Sequence, residues 1–177
     1  MAYRLSYFPL LLFLSLITLP GCGTGKQASG ASAGRGTTTF ILVRHAEKDY
    51  GDDPILIPKG EARAERLRET LKNVDLAAVY STNTKRTLST ARPTAEDHGL
   101  KTILYRSDLL PEFADKVKTL YRGKTVLIVG HSNTTPKMAN YLTGTEDFPR
   151  FSETDYTNLY IVNLPRGGTP DVLKLRY

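Results

Sequence analysis

Short apolar runs, rich in β-branched residues, alternate with segments of helical spacing along most of the chain. Four runs predict strands buried on both faces of a sheet: TTFILV (38–43), LAAVYS (76–81), KTILY (101–105) and TVLIVG (125–130). Between and after them, apolar positions recurring among charged ones predict helices over 59–73, 84–99, 108–121 and 135–143. Pro93 is expected to kink or restart the second helix.

The order of these elements predicts an α/β fold with three layers. Strands that alternate with helices favour a mostly parallel central sheet with helices on both faces. The last two runs, NLYIVNL (158–164) and DVLKLRY (171–177), are separated by Pro165 and the Gly167-Gly168 pair. We expect them to pair as a C-terminal hairpin at one edge of the sheet.

The first 36 residues have a different pattern. Arg4 precedes an apolar stretch, Leu10 to Leu19, that is too short to span a bilayer and is typical of an export signal. Leu19-Pro20-Gly21-Cys22 resembles the lipobox of bacterial lipoproteins, which implies a signal peptide over 1–21 and lipidation of Cys22. The glycine- and serine-rich residues 22–36 then predict a flexible tether, and the folded domain is expected over 37–177.

This resemblance also implies a location. A lipid on Cys22 would anchor the chain to the cell envelope, and Gly23 stands where many lipoproteins retained at the inner membrane have aspartate, so the outer membrane is preferred. The alternative is an ordinary secretory signal with a free thiol, since Cys22 is the only cysteine.

The charge of the chain narrows the range of partners. The formal net charge is +6, but three of the basic residues, Arg4, Lys26 and Arg35, precede residue 37. From residue 37 onward the chain has 21 basic and 18 acidic side chains. No basic run suited to a phosphate backbone is present, so we expect no nucleic-acid partner. A membrane, through the N-terminal lipid, is the partner that this part of the sequence predicts.

Polar residues follow the predicted strands at the end where α/β proteins bind ligands. Arg44 and His45 follow the first strand, Arg86 opens the helix after the second, and His131 follows the fourth. Imidazole and guanidinium groups converging on one rim, with helix N-termini beside them, favour a phosphate site.

Three blocks at these strand ends resemble one family. LVRHAEK (42–48), YSTNTKRTLSTA (80–91) and VGHSNT (129–134) are similar in order and spacing to the histidine phosphatase superfamily, also called phosphoglycerate-mutase-like. The resemblance implies that His45 is the nucleophile, that Arg44 and Arg86 bind phosphoryl oxygens, and that His131 completes the pocket. No metal or cofactor is implied. Many members have glycine after the nucleophile where this chain has Ala46.

The acid that protonates the leaving group is less well defined by the sequence. Asp108 follows the third strand and Glu112 lies one helical turn further, and Asp108 is slightly favoured over Glu112, with a helix N-cap as its alternative role. Glu47, Ser81 and Asn133 are further candidates for binding the substrate; Glu47 is as compatible with an exposed charge, and Ser81 and Asn133 with helix capping.

Three functions remain compatible with these residues. They are a phosphatase that forms a phosphohistidine on His45, a phosphomutase of the same superfamily, and a lipid-anchored module that binds phosphate without turnover. The short stretch between Ala91 and Val126 leaves little room for the lid that a mutase needs, which favours hydrolysis. No residue ranks the substrates, which include phosphomonoesters and phosphoramidates.

Overall fold

Ten elements follow one another in the computed structural model, which describes residues 1–2 and 36–177. The strands are β1 (Thr37–Arg44), β2 (Leu76–Ser81), β3 (Thr102–Leu104), β4 (Thr125–Gly130), β5 (Asn158–Pro165) and β6 (Asp171–Arg176). The helices are α1 (Pro58–Leu71), α2 (Lys85–Asp97), α3 (Leu110–Leu120) and α4 (Thr134–Thr143). Residues 3–35 lie outside the described part of the chain, and they include most of the predicted signal peptide, Cys22 and nearly all of the predicted tether.

The six strands form one sheet in the order β3-β2-β4-β1-β5-β6. The first four are mutually parallel, whereas β5 runs antiparallel to β1 and pairs with β6 in a hairpin. The predicted α/β fold with a mostly parallel sheet and a C-terminal edge hairpin is therefore confirmed. Gly167, in the turn of the hairpin, has φ 76°, a left-handed conformation that favours glycine.

The sheet has an apolar core on each face because side chains alternate along its strands. Phe40, Leu42, Val126 and Ile128 pack with α3 and α4 on one face. Their neighbours Ile41, Val43, Leu127 and Val129 pack with α1 and α2 on the other. Both faces of β1 and β4 are thus covered, as their unbroken apolar runs predicted.

The prediction for the third run was wrong in one respect. β3 has only three residues, and Ile103 and Leu104 are 42% and 53% exposed. It is the edge strand of the sheet and pairs only with β2, so it lacks the double burial of a central strand. In α2, by contrast, the helix continues through Pro93 without a restart.

Two further properties hold for the described part of the chain. No helix there is both long and apolar enough to cross a bilayer. Residues 1–2 and 36–177 also contain no group of three or more His, Cys, Asp or Glu side chains arranged to hold a metal ion.

Candidate active site

His45 lies directly after β1, where its backbone N–H donates to the Gly130 carbonyl at the end of β4 (2.9 Å). Its ring Nδ1 is 2.8 Å from the Ala46 carbonyl oxygen. A carbonyl oxygen can only accept, so Nδ1 carries the proton and the lone pair of Nε2 is free. His45 is thus held in the tautomer that a nucleophilic imidazole needs.

The surroundings of His45 also keep the ring neutral. Burial lowers its pKa to about 3, against the opposing effect of the Ala46 hydrogen bond, and the Arg44 charge lowers it further. His131 lies edge-on to His45, with 5.6 Å between the ring centroids, and its pKa is lowered to about 4 by burial and by the charges of Arg86 and Arg44. Both imidazoles are therefore uncharged at neutral pH.

Threonine side chains support the two rings from α2 and the loop before it. The Thr82 hydroxyl is 2.9 Å from His131 Nε2 and 2.9 Å from the Thr87 hydroxyl. Thr90 accepts a hydrogen bond from the Ala46 backbone N–H (2.9 Å) and donates to the Arg86 carbonyl (2.7 Å). This network connects the end of β1 to the first turns of α2, which carries Arg86.

Both predicted arginines line the same cavity as the two histidines. The Nε atoms of Arg44 and Arg86 are buried, and neither donates to an acceptor among the described residues. Guanidinium groups bind the oxygens of a phosphoryl group through charge-assisted hydrogen bonds. The pocket, with a volume of about 310 Å³, is therefore suited to a small tetrahedral anion.

Arg44 also holds the loop that precedes β5. Its Nη1 donates to the carbonyls of Ser152 (2.8 Å) and Asp155 (3.0 Å), and its Nη2 pairs with Glu153 Oε2 (2.9 Å). The guanidinium lies 4.1 Å from the centre of the Tyr156 ring. Arg44 therefore fixes the loop before β5 as well as lining the pocket.

Asp108 and Glu112, the two candidates for the leaving-group acid, lie away from the pocket that His45 lines. Asp108 is exposed, forms an ion pair with Arg106 (2.5 Å) and does not line the pocket. It is not the N-cap of α3 either, a position occupied by Leu109. Glu112 lines a different cavity beside α3. Since β3 lies three strands from β1, about 14 Å at the usual strand spacing, its carboxyl end does not reach His45.

Glu47 and Ser81, two of the predicted substrate-binding residues, form hydrogen bonds within the chain. Glu47 receives paired hydrogen bonds from Arg63 (2.8 Å each), which hold its pKa at about 2 although burial alone would raise it. Arg63 also donates to the Tyr177 carbonyl. Ser81 is fully buried and donates to the Thr82 carbonyl (2.9 Å). Asn133, the third candidate, does line the pocket.

Glu153, which no sequence pattern indicated, is the one carboxylate that lines the pocket among the described residues. It accepts hydrogen bonds from Ser132 (2.8 Å) and Arg150 (2.5 Å), which lower its pKa to about 2. The antiparallel direction of β5 explains its position: the start of β5 lies beside the end of β1, with Leu159 opposite Val43. The loop before β5 therefore lies at the same edge of the sheet as His45. Glu153 belongs to this loop and does not follow a strand, so the rule that located the other pocket residues did not apply to it.

Comparisons with known proteins agree with this geometry. Residues 40–112 match the family model of the histidine phosphatase superfamily, branch 1. No curated protein matches the chain at a significant level.

Solved structures share the fold at low sequence identity. The protein histidine phosphatase SixA, in a complex with tungstate, is 16% identical with a TM-score of 0.64, over 78% of this chain and 96% of that one. A mycobacterial glucosyl-3-phosphoglycerate phosphatase is 13% identical with a TM-score of 0.64, over 79% and 99%. A putative alpha-ribazole-5'-P phosphatase from Escherichia coli is 14% identical with a TM-score of 0.67, over 79% and 96%. The family match over residues 40–112 and the shared fold confirm the resemblance to the histidine phosphatase superfamily that the three sequence blocks predicted.

Proposed function

We propose that the chain is a phosphatase that transfers the phosphoryl group of a phosphomonoester or phosphoramidate to His45 Nε2 and then to water, at the cell envelope. The observation that carries this proposal is the hydrogen bond from His45 Nδ1 to the Ala46 carbonyl, in a pocket with two arginines. A neutral, oriented imidazole is nucleophilic without a separate base. In the first step the Nε2–P bond forms while the bond to the leaving group breaks, and in the second a water oxygen replaces Nε2.

The arginines supply the electrostatic part of this mechanism. Negative charge spreads over three oxygens in phosphoryl transfer, and preorganised donors stabilise it most in a site with little water. Arg44 and Arg86 both line the pocket in which this charge develops. His131 adds a neutral ring, held by Thr82, beside the transferred group.

Protonation of the leaving group places a condition on the substrate. The pocket carboxylate of Glu153 has a pKa of about 2, so it is ionised at neutral pH and holds no proton to donate. Leaving groups that depart without full protonation, such as phenolates, are therefore favoured over alkoxides. The solved neighbours named above include phosphatases with different substrates, so their likeness does not select one for this chain.

A mutase and a turnover-free binding module are the alternatives. The segment between α2 and β4 contains only β3 and α3, which leaves no further element there for a lid. Hydrolysis of p-nitrophenyl phosphate by the full-length chain in H₂¹⁸O tests all three. A phosphatase releases inorganic phosphate carrying one ¹⁸O, and His45→Ala does not. With glycerol added as an organic acceptor, a mutase would transfer the phosphoryl group mainly to glycerol, and a binding module would retain phosphate affinity with no turnover. Either result would overturn the proposal.

The envelope location is supported only by the sequence pattern at Leu19 to Cys22. A lipid on Cys22 followed by a glycine- and serine-rich tether would hold the phosphatase domain close to a membrane surface. The substrate would then be a phosphorylated small molecule or an envelope component.

A further inference from the structure

A second cavity adjoins the phosphate pocket on the side of α4. It has a volume of about 480 Å³, and we call it the α4 groove, lined by Asn133, Lys137, Tyr141, Glu146, Phe148 and Arg150 among others. Asn133 and Arg150 line both cavities. A substrate whose phosphoryl group is bound beside His45 therefore has the α4 groove as a neighbouring space for the rest of the molecule.

The groove is held in shape by hydrogen bonds within the chain. The Asn140 side chain donates to the Phe148 carbonyl (3.1 Å) and accepts from the Phe148 N–H (3.0 Å). Gly144, with φ 74°, ends α4 and turns the chain toward this contact. The segment that forms the far wall is thus fixed against α4, so the groove is preformed.

The cations of the groove differ in their pairing. Arg150 is bound to Glu153, 2.5 Å away, at the boundary with the phosphate pocket. Lys137 projects from the exposed side of α4, and its ammonium group pairs with no carboxylate within 4.0 Å among the described residues. Glu146, the carboxylate of the groove, forms no ion pair with it in the same part of the chain. Lys137 is therefore a positive charge available to a ligand.

The rest of the lining is suited to a small organic group. Tyr141 is 42% exposed and offers an aromatic surface, and Phe148 lies 9% exposed in the wall. Cavities of several hundred Å³ with aromatic walls and a few polar groups are typical of small-molecule sites.

We propose that the α4 groove binds the leaving group of the substrate, and that this is a small organic group with a second anionic substituent, such as a carboxylate, that pairs with Lys137. This inference rests on the proposed phosphatase function. It assigns Lys137 as a residue that determines substrate specificity at a distance from the reacting bond.

Two aryl phosphates that differ in one carboxylate test the proposal. O-phosphotyrosine and tyramine phosphate have the same phenolic leaving oxygen and the same amine, but only the first has a carboxylate. The unaltered full-length chain should favour O-phosphotyrosine in kcat/KM. In Lys137→Met this ratio should fall by about tenfold, the effect of one lost charge-assisted hydrogen bond. Lys137→Arg should keep most of the preference, and Lys116→Met, on the exposed side of α3, should leave the ratio unchanged.

The outcomes separate this inference from the function on which it rests. Turnover of both substrates with equal kcat/KM, or a preference that Lys137→Met does not reduce, would overturn the groove assignment and leave the phosphatase function standing. No turnover of either substrate or of p-nitrophenyl phosphate by the unaltered chain would instead contradict the phosphatase function itself. A preference that falls in Lys116→Met as much as in Lys137→Met would also overturn the assignment, because it would reflect overall charge.

Discussion

Arg44 and Arg86 reach the pocket from different elements and are held in different ways. Arg44 is buried at the end of β1 and is fixed by the loop before β5. Arg86 lies in the first turn of α2, and among the described residues its guanidinium pairs only with Asp53, 3.7 Å away. The less constrained Arg86 side chain is the one free to meet phosphoryl oxygens with more than one N–H. A planar guanidinium binds such oxygens in pairs, which a lysine ammonium cannot do.

Arg86→Lys should therefore lower kcat/KM for p-nitrophenyl phosphate. The decrease should correspond to a loss of about 2–4 kcal/mol of transition-state stabilisation, the range for a lost preorganised donor. Arg92→Lys is the matched control, because Arg92 lies on the same helix and meets only Glu96 at 4.0 Å. Steady-state kinetics of the two variants checks this prediction. Equal activities would show that Arg86 does not contact the transferred group.

Glu153 is expected to position Arg44 and not to act as an acid. Its low pKa leaves no proton to donate, while its Oε2 fixes Arg44 Nη2. Glu153→Gln should lower turnover of aryl and alkyl phosphates by a similar factor, about tenfold to a hundredfold, through displacement of Arg44. A loss confined to alkyl phosphates would contradict this and identify Glu153 as the leaving-group acid. Asp108→Asn, outside the pocket, should change neither rate.

The elements of the fold explain which site residues the sequence could predict. Arg44, His45, Arg86 and His131 follow parallel strands, whose carboxyl ends meet at one edge whatever their order in the sheet, and all four line the pocket. Asp108 was misplaced because its position depends on that order, which puts β3 at the far edge. Glu153 was missed because it depends on the direction of β5. Neither the order nor the direction of strands is encoded in local hydrophobic periodicity.

Helix α1 packs closely against the segment after β1 at Gly60. A Cβ added at Gly60 would lie 2.0 Å from the Glu47 carbonyl oxygen. Glycine to alanine within a helix usually stabilises by about 0.5–1 kcal/mol. At this position we expect Gly60→Ala to lower the free energy of unfolding, by about 1–3 kcal/mol, because the helix must move away from β1.

Chemical denaturation of Gly60→Ala measures this effect directly. Gly36→Ala serves as the control, since its added Cβ would make an ordinary contact of 3.5 Å with the Arg166 side chain. A Gly60→Ala variant as stable as the unaltered chain would show that α1 and the Glu47 backbone are not in close contact. The shift should also lower turnover, because Glu47 follows His45 and Ala46 directly.

At the scale of the whole molecule, the pocket is made by segments distant in sequence that one sheet edge brings together. The end of β1, the start of α2, the end of β4 and the loop before β5 each contribute lining residues. The sheet holds them in place because β1 and β4 are covered by helices on both faces. All of these segments lie within residues 36–177.

For the N-terminal segment, the sequence predicts membrane attachment through Cys22, which lies outside the described residues. Each buried methylene of an acyl chain contributes about 0.8 kcal/mol, so several chains on one cysteine give stable anchoring. Cys22→Ser should move the protein from the membrane fraction to the soluble fraction of its host, as followed by fractionation and immunoblotting. An unchanged membrane fraction would contradict lipidation at this residue.

The account depends most directly on a covalent bond between phosphorus and His45 Nε2. Rapid acid-free quenching of the full-length chain during turnover of a ³²P-labelled aryl phosphate should trap label that is labile in acid and stable in base, as a phosphoramidate is. Peptide mapping should place the label on His45 at Nε2, because Nδ1 is committed to the Ala46 carbonyl. Label on a serine or threonine, label at Nδ1, or full turnover by His45→Ala would contradict the account.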